Sequence, residues 1–216
     1  MIDWNQIETV FLDMDGTLLD LHYDNHFWRS HLPERYAALK GISVTDAITL
    51  LTNIYLAHAD TLNWYCIDFW SDQLGMDVGA LKHETADRIA WRPNAEKFLG
   101  FVRNQGYDIA LVTNAHQKSI DVKLQHTGLD SHISEIISSH DLKLPKENVE
   151  FWHRLQRQRH FNPARTAFFD DNENVLRSAQ GFGIRHLYTI AQPDSAQAKR
   201  MESEFPLIHD FQDLLP

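Results

Sequence analysis

One stretch decides the fold, Val10-Phe11-Leu12-Asp13-Met14-Asp15-Gly16-Thr17-Leu18-Leu19. Its three apolar residues at 10–12 predict the end of a buried strand, and a D-x-D-G-T turn follows at once. Because side chains alternate along an extended chain, Asp13 and Asp15 can point to one side while Met14 points away. The strand therefore delivers two carboxylates to one place.

The turn after these carboxylates is suited to an anion. Gly16 permits a sharp bend of the backbone. Its N–H, together with that of Thr17, can then face an anion such as a phosphate group. Two carboxylates beside an anion site imply a bound cation.

Composition limits the possible functions. The chain has 216 residues, of which 43% are hydrophobic and 23% charged, as is typical of a globular protein with a sizeable core. Its formal net charge of -10 argues against binding of a nucleic-acid polymer. The single cysteine, Cys66, excludes an internal disulfide and a cysteine-rich metal site, and we interpret it as a small buried thiol. No basic leader or long apolar run is found, which predicts a cytoplasmic protein without a membrane partner.

Residues 21–90 have helical periodicity and no convincing strand. Helices are predicted at 23–40, from the N-cap Ser43 onward, at 63–74 and at 78–89. This block interrupts a chain that otherwise alternates strands and helices. We therefore expect an inserted helical cap at 21–90 and a core formed by 1–20 and 91–216.

The remainder of the chain predicts an α/β fold. Strands are expected at 107–112, 135–138, 166–169 and 184–188, with helices at 93–106, 117–127, after 146 and at 172–180. This order predicts a Rossmann-like parallel sheet covered by helices on both faces, with ligands bound beyond the carboxyl ends of the strands. The tail at 193–216 is expected to be a docked helix without chemistry.

Polar pairs follow two of these strands. Thr113-Asn114 comes directly after 109–112, and Asp170-Asp171 comes directly after 166–169. Adjacent acids at the mouth of a buried strand repel each other unless a cation lies between them. Asp170 and Asp171 are therefore expected to be metal ligands, in an all-oxygen set that suits Mg²⁺.

These motifs resemble those of the haloacid dehalogenase-like (HAD) superfamily of phosphohydrolases. The resemblance implies that Asp13 is the nucleophile and Asp15 the general acid/base. It also implies that the Thr113 hydroxyl and the N–H of Asn114 hold the phosphoryl group. Asp171 would bind Mg²⁺ directly, supported by Asp170 and completed by Asp13 and the backbone carbonyl of Asp15.

The resemblance also requires a lysine ahead of a helix with an aromatic anchor. Lys146 fits, because Trp152 stands six residues later, but the usual prolines after the lysine are missing and Lys143 competes for the role. The lysine would offset charge on Asp13 and on the phosphoryl oxygens. The four aspartates and a phosphate together carry more negative charge than Mg²⁺ and Lys146 carry positive charge. We therefore expect a raised pKa for Asp15.

A narrower resemblance extends through the helical block. The combination of DMDGTLLD-x-x-x-D-N-x-F-W, T-L-N-W-Y-C, T-N-A-H and K-L-x-H-T-G-L-D is similar to the bacterial GMP/IMP nucleotidases of the superfamily. It implies Mg²⁺-dependent hydrolysis of purine nucleoside 5′-monophosphates, with Mn²⁺ or Co²⁺ as substitute ions. The alternative is a phosphatase for another small metabolite, such as a sugar phosphate or flavin mononucleotide. The oligomeric state stays open.

Candidate specificity residues in the helical block are Asp24, Asn25 and Trp64. The aromatic rings around Trp64 can pack the cap's own core, stack on a nucleobase, or do both. His22 and His26 are four residues apart, a spacing that can bind zinc, but the H-E-x-x-H pattern is absent.

Overall fold

Six parallel strands form the centre of the molecule. The computed structural model describes residues 2–59 and 61–215. The strands are β1 (Thr9–Leu12), β2 (Asp108–Thr113), β3 (Ile136–Ser138), β4 (Thr166–Phe169), β5 (His186–Ile190) and β6 (Leu207–Ile208). Their order in the sheet is β3-β2-β1-β4-β5-β6, so β1 lies between β2 and β4. The predicted parallel sheet is confirmed.

Helices cover both faces of the sheet. The helical segment between β1 and β2 contains α1 (His22–His26), α2 (Leu32–Lys40), α3 (Val44–Leu56), α4 (Leu62–Tyr65), α5 (Ile67–Leu74) and α6 (Val78–His83). The helices that follow are α7 (Ala95–Asn104), α8 (Gln117–Thr127), α9 (Ser139–Leu142), α10 (Val149–Gln158) and α11 (Glu173–Phe182). Among the described residues, none of these helices is both long and apolar enough to cross a bilayer.

Alternating side chains of β1 divide the sheet's core into two layers. Val10 and Leu12 pack with the apolar face of α7, whereas Phe11 packs with α10 and α11 on the other side. All three strand residues are fully buried. This burial on both faces explains why the strand reads as an uninterrupted apolar run.

The helical segment has an apolar cluster of its own. Phe27, Leu51 and Trp70 are among its buried members. The chain enters and leaves the segment side by side, because the N–H of Asp20 donates to the carbonyl of Ala90 at 2.9 Å. This geometry is what an insert at 21–90 requires, and the division into cap and core stays a proposal.

Several predicted boundaries need correction. Helix 23–40 is continuous but includes a π-helical turn at Phe27–His31. The predicted helix 63–74 is broken at Cys66, whose backbone is extended and whose Sγ accepts the amide of Phe69 as the N-cap of α5. The tail contains β6 and a 3-10 turn at Phe211–Leu214 in the place of the expected helix.

Candidate active site

The carboxyl ends of β1, β2 and β4 meet at one edge of the sheet and place three of the predicted motifs side by side. Leu12 pairs with Leu111 on one side and with Phe169 on the other. Asp13 and Asp170 come directly after Leu12 and Phe169, and Thr113, the last residue of β2, lies two residues beyond Leu111. All three are buried.

Lys146 is held at the centre of this edge. Its Nζ donates to Oδ1 of Asp13 at 2.6 Å, to Oδ2 of Asp170 at 2.7 Å and to the carbonyl of Val112 at 2.9 Å. Lys143 is exposed at the end of α9 and has a positive φ of 57°. Of the two candidate lysines, the structure therefore brings Lys146 to the carboxylates.

Loop contacts hold Lys146 in place. Oδ1 of Asn114 accepts the amide of Lys146 at 2.9 Å, and Nδ2 of Asn114 donates to Glu147 at 3.0 Å. The ring nitrogen of Trp152 donates to the carbonyl of Lys146 at 3.1 Å. Trp152 is thus the aromatic anchor of this loop. These contacts hold the loop although the prolines expected after the lysine are missing.

Asp13, Asp170 and Asp171 form a group that fits a divalent cation. One carboxylate oxygen of each lies within 4.8 Å of the others. Burial raises the pKa of Asp171 to about 7, and the charge of Asp13 adds to the rise. Burial likewise raises the pKa of Asp13 to about 7 against the opposing effect of Lys146. Buried oxygen ligands that repel one another are suited to Mg²⁺, whose charge would remove the repulsion.

The turn after Asp13 has a different role from the predicted one. The amide of Gly16 donates to the carbonyl of Leu19 at 2.8 Å, so it is not free to bind an anion as predicted. Gly16 has a φ of 83°, and a Cβ on it would lie 2.7 Å from the carboxylate of Asp171. The glycine is therefore required for space. The phosphate contact predicted for the fully buried Thr17 stays a prediction.

Asp15 pairs with a buried lysine that also pairs with Asp24. Nζ of Lys123 lies 2.6 Å from Oδ1 of Asp15 and 2.8 Å from Oδ2 of Asp24. Nζ of Lys82 lies 2.9 Å from the other oxygen of Asp24. Asp15 thus joins the sheet to the helical segment through a chain of alternating charges.

The charges around Asp15 affect the two carboxylates differently. Burial raises the pKa of Asp15, with opposition from Lys123 and support from Asp24. Asp24 is buried too, which acts to raise its pKa, but Lys123 and Lys82 overcome this effect and lower the pKa to about 2. Burial is thus the main cause of the raised pKa that was predicted for Asp15. Asp24, in contrast, is ionised and pairs with both lysines.

A cavity of about 770 Å³ extends from the carboxylates into the helical segment. It is lined by Asp24, Asn25 and Trp64, the three predicted specificity residues. Both oxygens of Asp24 are taken by lysines, and Nδ2 of Asn25 donates to Asp194 at 2.6 Å. These contacts engage Asp24 and Asn25 with other side chains, and the specificity roles predicted for all three residues stay predictions.

Functional candidates that sequence reasoning missed are Lys82, Lys123, Tyr65, Glu147 and Arg200. Lys123 follows the buried Ile120 by one turn on the inner face of α8, and a lysine on an apolar face is the signal that could have found it. Arg200 lines the cavity and donates to the carbonyl of Asp171 at 2.8 Å. The C-terminal tail, which was expected to carry no chemistry, therefore contributes a residue to the candidate site.

A sequence model of the haloacid dehalogenase-like hydrolases matches residues 7–183. The chain belongs to this family. It is 40% identical over 215 residues to the GMP/IMP nucleotidase YrfG of Escherichia coli (strain K12), in an alignment that covers 100% of this chain and 97% of that protein. The chain is thus a HAD-superfamily phosphohydrolase close to that nucleotidase.

Solved structures share the fold. An HAD phosphatase from Thermococcus onnurineus matches with a TM-score of 0.77 and 19% identity, over 96% of each chain. The L-2-haloacid dehalogenase from Xanthobacter autotrophicus matches with a TM-score of 0.64 and 15% identity, again over 96% of each chain. At these identities the likeness concerns the fold alone.

Proposed function

We propose that this chain is a Mg²⁺-dependent phosphatase that hydrolyses purine nucleoside 5′-monophosphates, with GMP and IMP preferred. The observation that carries the chemistry is the contact of Lys146 with Asp13 and Asp170 at one end of the cavity. The choice of substrate is supported by the full-length similarity to a GMP/IMP nucleotidase, helical segment included.

Asp13, Asp170 and Asp171 are the proposed side-chain ligands of Mg²⁺, with the backbone carbonyl of Asp15 as a further one. When bound, the ion supplies positive charge that offsets the phosphate oxygens and orients the phosphoryl group. Mn²⁺ and Co²⁺ are proposed as substitute ions because they also accept oxygen ligands.

In the first step, a carboxylate oxygen of Asp13 attacks the phosphorus atom. Lys146 holds Oδ1, which leaves Oδ2 as the attacking atom and positions it. The bond between phosphorus and the nucleoside oxygen breaks, and a proton from Asp15 goes to that oxygen. The products of this step are a nucleoside and an aspartyl-phosphate on Asp13.

In the second step, Asp15 takes a proton from water, and the water oxygen attacks the phosphorus of the aspartyl-phosphate. Phosphate leaves, and the carboxylate of Asp13 is restored. The Thr113 hydroxyl accepts the amide of Ala115 at 3.0 Å, which leaves its own proton for a phosphoryl oxygen. This donor, with Lys146, stabilises the charge in both steps.

The aromatic part of the cavity is the proposed site for the base. Trp64 and Trp28 both line it, and a ring face can stack on a purine. Arg29 also lines it, and no ion pair engages this side chain among the described residues. Guanidinium donors match the N7 and O6 acceptors of guanine and hypoxanthine, whereas adenine carries an amino group in place of O6.

The helical segment is proposed to act as a cap over the site. Contacts that bridge it to the rest of the chain include those of Tyr65, which donates to Glu147 at 2.6 Å, and of Asp24, which pairs with Lys123 at 2.8 Å. Closure of such a segment excludes bulk water during phosphoryl transfer.

Phosphate release from GMP, IMP, AMP, UMP, flavin mononucleotide and several sugar phosphates tests the proposal. Each substrate is assayed with Mg²⁺ and with a chelator. We expect GMP and IMP to lead and the chelator to abolish release. If release requires the metal but a sugar phosphate is hydrolysed fastest, the proposed substrate is wrong and the proposed phosphatase chemistry still holds. Release that the chelator does not affect would contradict the metal dependence.

A further inference from the structure

A second group of metal-ligating side chains lies apart from the carboxylates. One ligand atom from each of Cys66, His116 and His140 lies within 4.8 Å of the others. Cys66 caps α5 in the helical segment, His116 caps α8, and His140 lies in α9 directly after β3. Ligands from two distant parts of the chain thus converge.

The donor types select a different ion from the carboxylate group. A thiolate and two imidazoles favour Zn²⁺ and related borderline-soft ions over Mg²⁺. A tetrahedral Zn²⁺ bonds sulfur at about 2.3 Å and nitrogen at about 2.0 Å, so its ligand atoms stand roughly 3.5 Å apart. The three ligand atoms, all within 4.8 Å of one another, would have to approach by about 1 Å at most to reach this spacing.

His140 supplies an independent observation. Its Nε2 is buried, and no hydrogen-bond partner for it is found in the described part of the chain. In the tautomer that carries its proton on Nδ1, the lone pair of this Nε2 is free to bind an ion. An orphaned buried nitrogen of this kind is costly unless a ligand meets it.

Outer groups complete the environment. The carboxylate of Asp68 lies 3.6 Å from Nε2 of His116 and 2.6 Å from Nζ of Lys118. Metal-bound histidines commonly pair with such a carboxylate, which orients the ring. An ion bound through Nδ1 of His116 would replace the 3.4 Å hydrogen bond that this nitrogen accepts from the amide of Lys118. The two imidazole rings meet edge to face with centroids 5.0 Å apart, so both can approach one ion.

We propose that Cys66, His116 and His140 form a second metal site, for Zn²⁺ or an ion of the same class. Binding transfers the thiol proton of Cys66 to solvent and forms a sulfur–metal bond. The ion joins α5 of the helical segment to α8 and α9 beside the sheet. His116 also lines the cavity, so this second metal site lies at the edge of the proposed active site.

Cobalt absorption tests this site directly. The full-length protein is titrated with Co²⁺ in the presence of excess Mg²⁺, which competes for the carboxylate group. We expect a charge-transfer band from thiolate to cobalt at one equivalent, lost in Cys66→Ser. In His140→Gln the affinity should fall by more than about 10-fold, a loss that outer-shell changes already reach. Zn²⁺ should abolish the band and raise the melting temperature of the wild type.

Three control variants separate the alternatives. His126→Gln alters an exposed histidine of α8, His26→Gln tests the His22/His26 pair, and Asp170→Asn tests the carboxylate group. All three should retain the charge-transfer band. Absence of the band in the wild type, its persistence in Cys66→Ser, or its loss in Asp170→Asn would overturn the proposal.

Discussion

Removal of the buried ammonium of Lys123 tests how Asp15 is held. In Lys123→Met, the carboxylates of Asp15 and Asp24 lose contacts of 2.6 and 2.8 Å. Breaking a buried pair by removing one partner costs about 3–5 kcal/mol. Because Lys82 still contacts Asp24, we expect the lower end of this range. Domains have a free energy of unfolding of about 5–15 kcal/mol, so the variant should remain folded at 25 °C.

The same change should alter the pH dependence of turnover. Lys123 opposes the rise in the pKa of Asp15, so its removal raises that pKa further. Asp15 must be deprotonated to accept a proton from water. Because Asp15 also has to carry a proton in the first step, both limbs of the kcat profile should move to higher pH. At pH 7 kcat should fall by up to about 10²-fold, the lower end of general acid/base contributions.

Lys118→Met is the matched control for this experiment. Lys118 lies on the same helix, is half-exposed and pairs with Asp68, so its loss should cost at most about 1 kcal/mol. Urea unfolding and kcat against pH are measured for both variants. Equal losses of stability, or an unshifted profile in Lys123→Met, would refute the assigned role of Lys123.

Three further changes probe the rest of the site. Gly16→Ala should lower the free energy of unfolding by about 1–2 kcal/mol, because position 16 has a positive φ. It should also reduce kcat more than 10-fold by displacing Asp171. The control Gly41→Ala, which has open space around its new methyl group, should keep its activity. The pKa values of Asp13 and Asp171 are about 7 in the protein without a cation. The folded state then binds protons that the unfolded chain releases, so metal-free melting temperatures should fall as pH rises from 4 to 7, and stabilisation by Mg²⁺ should grow; a rising melting temperature would contradict this sign. Trp64→Ala should raise the KM for GMP about 10-fold and leave kcat/KM for ribose 5-phosphate unchanged, and equal effects on both substrates would exclude base stacking.

The sheet and the polar residues at its carboxyl edge were predictable because their signals are local. The apolar run at 10–12 and the polar residues directly after each strand identify the carboxyl edge, and parallel register then brings Asp13, Thr113 and Asp170 together. Periodicity also located α8, whose predicted bounds agree with the structure.

Long-range pairing was not predictable. Lys123 and Asp24 are 99 residues apart in the sequence. Nothing in the sequence around either residue identifies the other as its partner. The interpretation of Cys66 as a small buried thiol was wrong, because Cys66 is only half-buried and two histidines lie beside it, on α9 and before α8. The Gly16 amide was misjudged because its partner, the carbonyl of Leu19, depends on how the turn closes.

The central claim is that Asp13 carries the phosphoryl group, and acid-quench labelling tests it most directly. GMP with a labelled phosphate is mixed with Asp15→Asn enzyme and Mg²⁺, quenched in acid within one turnover and digested for peptide mapping. Labelled p-nitrophenyl phosphate, whose leaving group needs no proton, is run in parallel. We predict label on the peptide that contains Asp13 and none in Asp13→Asn. Label on another residue, or wild-type turnover by Asp13→Asn, would contradict the account.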